Sequence, residues 1–240
     1  MEPTLPPDHA FWGVAPFQKA PPEQVAETQR RRLLLGITRV VARKGYGAAN
    51  VADVLREVRI SRRTFYELFR GKEDCYLAAY AQAHAAIVVA IKDSQRGIRD
   101  PLERFEAAHR AFLGVIEQQP DVAQAFLVGI LEAGPRATEQ RTQADLEFAD
   151  MHVELHRQCR ERFPELPVVP RRAFVALTAG TNLVVIDELR RHGAARVMAL
   201  LPEVLYLSYS VYGLHEQAKR SLRHALQVGL QSDGGRRMSG

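Results

Sequence analysis

The sequence has only two cysteines, Cys75 and Cys159, in 240 residues. Two thiols cannot build a disulfide framework or a four-cysteine zinc site. Long hydrophobic runs are scarce too. The stretch from Ala85 to Ile91 falls well short of the ~20 residues a membrane helix needs. The start, Met1-Glu2-Pro3-Thr4-Leu5-Pro6-Pro7, has no basic residues leading into an apolar stretch, which argues against a secretory signal. There is no Gly-rich phosphate loop, no Gly-x-Ser-x-Gly, no His-Glu-x-x-His and no paired-carboxylate constellation. The expectation is a cytoplasmic protein, outside the membrane, that is not an enzyme and uses no cofactor. What remains is ordinary: 46% hydrophobic and 25% charged residues, enough to bury a sizeable core in one or two domains.

Charge is distributed unevenly. The formal net charge is +5. Gln24 to Arg70 holds eleven Lys/Arg against four Asp/Glu, a local net of +7. Residues 1–23 have a net of −2, and residues 71–240 hold 21 charges of each sign. All the excess positive charge therefore lies in one short segment, as a polyanion such as DNA would require. A solvated basic face is the competing reading.

Residues 1–22 carry six prolines, which lack an N–H and disfavour helix before them. Residues 1–23 are read as a flexible arm, with Phe11-Trp12 available to dock on the body or a partner. Beyond the arm the pattern is helical throughout. Leu34, Ile37 and Val41, backed by Leu33 and Val40, form the stripe of a first helix ending at Lys44-Gly45. Asn50 can cap a second helix with Asp53 in a near capping box, and Val51, Val54, Leu55 and Val58 face inward. Ser61 can cap a third, with Phe65, Leu68 and Phe69 inward. A longer helix opens at Gly71-Lys72-Glu73-Asp74. Further helices are predicted from about Pro101 to Gln119, Asp121 to Glu132, Arg136 to Phe163, Arg171 to His192, Ala194 to Tyr212 and His215 to Gln227. Breaks fall at Pro120, Gly134-Pro135, Pro164 to Pro170 and Gly193. Residues 229–240 are read as a flexible tail.

Three helices in about 45 residues, the last two short and tightly joined, match a helix-turn-helix unit. Its second short helix would enter the major groove. Arginine suits guanine O6/N7 and the threonine methyl suits thymine, whereas Tyr66 and Ser61 suit phosphate oxygens. The stretch Ser61-Arg62-Arg63-Thr64-Phe65-Tyr66-Glu67-Leu68-Phe69-Arg70-Gly71-Lys72-Glu73, with Gly45-Tyr46 and Asn50-Val51-Ala52-Asp53-Val54 before it, resembles the N-terminal domain of TetR-family transcriptional regulators. The resemblance covers roughly residues 28–80. It implies that Asn50 caps the second helix and touches phosphate, that Arg62, Arg63 and Thr64 face bases, and that Tyr66 and Lys72 bind the backbone. Leu55, Arg59, Arg63 and Leu68 depart from the usual pattern. Arg59 stands where a turn glycine is frequent.

The resulting expectation is an all-α chain. Residues 24–70 form a three-helix helix-turn-helix DNA-binding domain, and residues 71–228 a helical ligand-binding and dimerisation domain. By resemblance, the protein is a repressor released from an inverted-repeat operator by a small apolar or aromatic effector. Its partners are double-stranded operator DNA, that unidentified effector and a second copy of the chain. The resemblance also implies a four-helix dimer bundle from the last two long helices, and Phe174, Leu177, Leu183, Val184, Val204, Leu205 and Leu207 suit it. Phe105, His109, Phe112, Phe126, Met151 and His152 are candidate ligand-cavity residues. His152 and His156 are four apart on one helix, but no third residue is spaced to complete a metal site, so no metal is expected. The alternatives are an all-helical ligand-binding module, or an enzyme, that has lost DNA binding.

Overall fold

A computed structural model of the chain describes Trp12 and residues 22–237. Among the described residues every regular element is helical: α1 (Pro22–Lys44), α2 (Val51–Val58), α3 (Arg62–Leu68), α4 (Lys72–Ser94), α5 (Pro101–Gln118), α6 (Pro120–Ala123), α7 (Pro135–Arg162), α8 (Arg171–His192), α9 (Leu201–Tyr212) and α10 (His215–Arg237). The last extends beyond the Gln227 expected from its apolar pattern, and no proline lies in its way. Apart from Trp12, residues 1–21 of the Pro-rich arm lie outside the described residues.

Two stretches expected as single α-helices are wound differently. After α6 the backbone widens to a π turn over Gln124–Val128, then tightens to a 3-10 turn over Gly129–Glu132. Tyr76 explains the widening. Its hydroxyl donates to the Ala125 carbonyl at 2.6 Å, and the Gly129 N–H bypasses that carbonyl to reach the one at Gln124. Before α9, Ala194–Leu200 is a 3-10 stretch. Pro202 in the first turn of α9 has no N–H to donate, so the α ladder begins only there.

The chain divides into two compact units. The first comprises residues up to Ala90 together with Gln118–Thr142, and the second comprises Ile91–Glu117 and residues from Gln143 onward. α4 and α7 each run from one unit into the other.

In the first unit α1 buries Leu33, Leu34, Ile37, Val40 and Val41, as its stripe predicts. Gly45 ends it at φ +79°. Gly36 lets α2 approach closely, since a Cβ there would sit 2.6 Å from Val58 Cγ1. Asn50 and Asp53 form a full capping box on α2, with Asp53 N–H donating to Asn50 Oδ1 at 3.0 Å and Asn50 N–H to Asp53 Oδ2 at 3.3 Å. Ser61 caps α3 by accepting from Thr64 N–H at 3.1 Å. α4 corrects the expectation that no segment approaches membrane-spanning character. Its best window has a mean hydropathy of 1.3, so length and composition alone would let it cross a bilayer. It instead supplies core side chains, with Cys75, Tyr76, Ala79, Ala83 and Val88 all buried. Trp12 is 1% exposed, and its carbonyl accepts from Gln82 Nε2 at 3.5 Å. This tryptophan is therefore docked on the body.

The second unit is built around Phe105, Leu155, Cys159, Phe174, Leu177, Tyr209 and Tyr212. Phe105 stacks on Tyr209 at 4.6 Å between ring centroids and meets Tyr212 edge-on at 4.8 Å.

Arg59, between α2 and α3, has φ 52° and is the sole non-glycine residue with positive φ among those described. A left-handed conformation crowds a Cβ against the following carbonyl, at roughly 1–2 kcal/mol. Arg59→Gly is therefore expected to raise the unfolding free energy by about 1 kcal/mol, after glycine's extra unfolded-state entropy is subtracted. Urea denaturation checks this, and a lower midpoint in the variant would show that the arginine side chain stabilises the turn.

Candidate nucleic-acid interface and ligand cavity

α3 has two faces. Phe65 is 0% exposed and Phe69, just beyond its end, 4%, while Tyr66 is 54% exposed. Arg62 and Arg63 also face solvent and Thr64 is half-buried. Phe65 packs against both Tyr66 and Phe69, with centroids 5.3 and 5.8 Å apart. The helix is thus held by one face and presents the other. Arg63 Nε donates to Glu67 at 2.8 Å, whereas Arg62 has no ion-pair partner among the described residues.

Three expected contact residues already have local work. Asn50 Oδ1 accepts from the α2 N-terminus. Ser61 Oγ caps α3 and lies 2.9 Å from Thr64 Oγ1. Lys72 is a clamp. Its Nζ donates to the carbonyls of Tyr46 at 2.9 Å and Ala49 at 3.0 Å and lies 4.1 Å from the Tyr46 ring centroid. Burial lowers its pKa. Of the Arg30-Arg31-Arg32 run, Arg30 stacks over Phe69 at 5.4 Å, Arg31 pairs with Glu27 at 2.7 Å, and Arg32 donates to the Val58 carbonyl.

The second unit contains a cavity of about 450 Å³ bounded by the end of α4, α5, α7 and α8. That volume lies in the range of small-molecule sites. His109, Phe112, Met151 and His152 line it, joined by Phe148, Leu155, Arg104, Gln158, Thr178 and Asn182. Phe105 and Phe126 do not. Phe105 is sealed in the second unit's core, and Phe126 lies in the first unit against Tyr76 and Tyr80, at 5.4 and 5.7 Å. The aromatic type of these two residues suggested a cavity, but their helix faces turn elsewhere. Several of the cavity residues not expected from sequence extend the α7 face that already carries Met151 and His152. Glu147, Phe148, Met151, His152, Leu155 and Gln158 follow the 3.6-residue period, so that stripe was the available signal.

The histidines here are neutral. His109 Nδ1 meets the Phe105 carbonyl at 2.8 Å and Nε2 meets Ser208 Oγ at 3.0 Å. His152 Nδ1 meets the Tyr212 hydroxyl at 2.9 Å, and that hydroxyl donates to the His152 carbonyl at 3.0 Å. The His152 Nδ1 therefore carries the proton into that contact. Burial lowers the pKa of His109 and His156 and drives that of His152 down to about 3, with His109 adding to the last. Among the described residues no group of three His, Cys, Asp or Glu is placed to hold a metal ion.

Of the residues expected at a dimer interface, Phe174, Leu177 and Val204 are buried within the chain's own core. Leu205 and Leu207 are half-buried against that core. Leu183 is 67% exposed and Val184 is 37% exposed.

Residues 33–79 match the family described as bacterial regulatory proteins, tetR family. The chain is 26% identical over 140 residues to the HTH-type transcriptional activator FasR of Mycolicibacterium smegmatis, covering 55% of this chain. It spans 64% of the length of that relative. Among solved structures, the fatty acid degradation regulator FadR from Bacillus halodurans superposes with TM-score 0.66 at 14% identity, over 82% of this chain and 97% of that one. FadR from Bacillus subtilis, solved in complex with stearoyl-CoA, superposes with TM-score 0.64 at 11% identity, over 75% and 97%. At these identities the structural likeness establishes the fold.

The neutral histidines set a pH dependence. In the folded state their protonation is disfavoured, whereas unfolding restores the ordinary histidine pKa of about 6.5. Below that value the unfolded chain binds more protons, so stability is complete above about pH 6.5 and is lost as pH falls toward the folded-state values. Each histidine contributes a slope of about 1.4 kcal/mol per pH unit within its window. Denaturant melts between pH 7 and about pH 5 should show the decline, and His152→Asn should make it shallower. An unchanged slope in that variant would mean that His152 takes up its proton in the folded chain.

Proposed function

From the premise that the chain belongs to the TetR family of bacterial regulatory proteins, we propose that it is a dimeric transcriptional regulator, a repressor released from an inverted-repeat operator by a predominantly apolar ligand. One observation carries the DNA-binding part: α3 is anchored by Phe65 and Phe69 and offers Arg62, Arg63 and Tyr66 to solvent. Residues 24–70 then form the DNA-reading domain, and residues 71–228 bind ligand and dimerise. Tyr66 and the α3 N-terminus suit phosphate. Lys72 retains one ammonium hydrogen for a phosphate but acts first as a clamp.

The ligand part is supported by the cavity, whose walls combine aromatic and aliphatic side chains with polar and charged groups. Its fatty-acid regulator neighbours agree with an apolar chain in that space. Loss of operator affinity on adding ligand would mark a repressor, and a gain would mark an activator such as the curated relative.

Dimerisation is supported by the outer faces of α8 and α9. Ala176, Ala179, Leu183 and Val184 with Tyr206 make an apolar surface exposed in the single chain. A two-fold dimer covers such a face and matches an inverted repeat.

The DNA reading is tested by gel shift on the upstream intergenic region. Arg62→Ala should weaken binding about tenfold to a hundredfold, as loss of a bidentate base contact does. Arg63→Ala should cost less, because its guanidinium must first leave Glu67. Full affinity in the double variant would remove α3 from the interface.

For the dimer, light scattering should report a two-chain mass for wild type and a monomer for Leu183→Asp, which places a charge in the covered face. Leu177→Asp should instead unfold the second unit, because that side chain is in its core. A dimeric Leu183→Asp protein would relocate the interface.

A further inference from the structure

Resting on the ligand-binding reading above, the polar groups around the cavity narrow the chemistry of its occupant. A second hollow of about 360 Å³ shares Arg104 and Gln158 with the first and adds Arg99, Glu161 and Arg162. The larger hollow sets an apolar strip of Phe112, Phe148, Met151 and Leu155 among polar groups that include Lys92, Glu147, Asp150 and Glu154, and its neighbour is walled largely by charge, with Arg104 on the boundary.

The acids near that boundary are already neutralised. Asp100 pairs with Arg162 at 3.3 Å, Glu154 pairs with Arg157 at 2.7 Å, and Glu161 pairs with the same Arg157. Arg157 and Gln158 hold the Glu154 carboxyl down to about 2, so it stays ionised within its pair. Two arginines are left over. Neither Arg99 nor Arg104 forms an ion pair among the described residues, although Arg104 lies near enough to Glu154 to help hold its carboxyl down. The Arg104 Nε is buried without any hydrogen-bond partner. Lys92, exposed on the wall of the larger hollow, is a third cation without a partner.

A buried donor left unsatisfied is costly, and a charged one more so. A wholly apolar ligand would leave that cost in place. A cationic ligand would meet Asp150, Glu154 and Glu161, which already have arginines, and would be repelled by Arg99, Arg104 and Lys92. An anion relieves both problems through charge-assisted hydrogen bonds. We propose that the two hollows form one site for an amphiphile with a single apolar chain and an anionic head, the chain lying against Phe112, Phe148, Met151 and Leu155 and the head against Arg104 and Arg99. The head is a carboxylate or a phosphate, both of which match the planar donor fork of arginine. His109 and His152, uncharged and hydrogen-bonded within the protein, add no competing charge along the chain's wall.

Four probes with the same chain separate the alternatives: decanoate, decyl phosphate, decanol and decyltrimethylammonium, each titrated calorimetrically into the full-length protein without DNA. Decanoate or decyl phosphate should bind at least about tenfold more tightly than decanol, as a charge-assisted hydrogen bond to a buried partner implies. The stronger of the two identifies the head group. The ammonium compound should bind most weakly. Arg104→Gln should bring the anion's affinity down to that of decanol for the same variant, with a circular dichroism spectrum and melting temperature like those of wild type showing that it is folded. Arg104→Lys should restore part of the preference, and Arg99→Gln should reduce it. Equal binding of decanoate, decyl phosphate and decanol overturns the proposal, as does tighter binding of the ammonium compound. Retention of the anion preference in Arg104→Gln, or no binding by any probe, also overturns it. Operator binding is read separately by gel shift, so failure here is distinguishable from failure of the regulator reading.

Discussion

The first unit is organised around the ammonium group of Lys72. It satisfies the Tyr46 and Ala49 carbonyls in the loop after α1, and it rests on the Tyr46 ring. Asn50, the cap of α2, follows directly. The clamp therefore fixes where α2 starts, and through α2 the placement of Arg59 and α3. The same tyrosine continues the chain of contacts. Tyr46 packs on Tyr76 at 4.9 Å, Tyr76 holds the Ala125 carbonyl, and Tyr76 and Tyr80 receive Phe126. A charge taken partly out of water must be repaid by directed contacts, and here those contacts align α2 and α3 with the segment from residue 118 to 142. A cation that merely bound phosphate would leave these elements unlinked.

Much of this was legible from the residues alone. The helix order, the Gly45 stop and both side-chain caps follow from local chemistry: a carboxamide or hydroxyl two or three residues from an unpaired N–H. The strain at Arg59 was foreseeable because a turn position lacked its glycine. Features that depend on distant partners were not legible. The π turn exists because Tyr76, far away in sequence, claims one carbonyl. The role of Lys72 depends on a loop more than twenty residues earlier. Burial of Trp12 depends on α4, with nothing in the proline-rich flanks to announce it. The cavity lay between these cases. His109, Phe112, Met151 and His152 were readable as one helical face each, but Phe105 and Phe126 have the same composition and different neighbours. The inward turn of Leu177 and the outward turn of Leu183 on one helix likewise depend on which face the second unit claims.

The cavity wall and the hydrophobic core share residues, so the shape of the cavity is tied to the stability of the core. His152 touches Tyr212, and Tyr212 contacts Phe105 and Phe174 in the core. His109 stacks beside Phe105 and bonds to Ser208 of α9. A shift of either imidazole is therefore felt by packed aromatic rings, which move in discrete steps because dense interiors do not deform smoothly. The neutral state of both histidines is a condition of that packing, since protonation would introduce charge into a space filled by rings.

Trp12 is the sole tryptophan of the sequence. With its indole enclosed and its carbonyl held by Gln82, the protein has a single indole fluorophore, excitable apart from its seven tyrosines, placed at one defined contact on α4. Its emission comes from that contact alone, with no second indole to average it. Release of Trp12 from its contact with α4 can therefore be followed optically in the unlabelled, unmutated chain, separately from events at the cavity, whose walls contain no tryptophan.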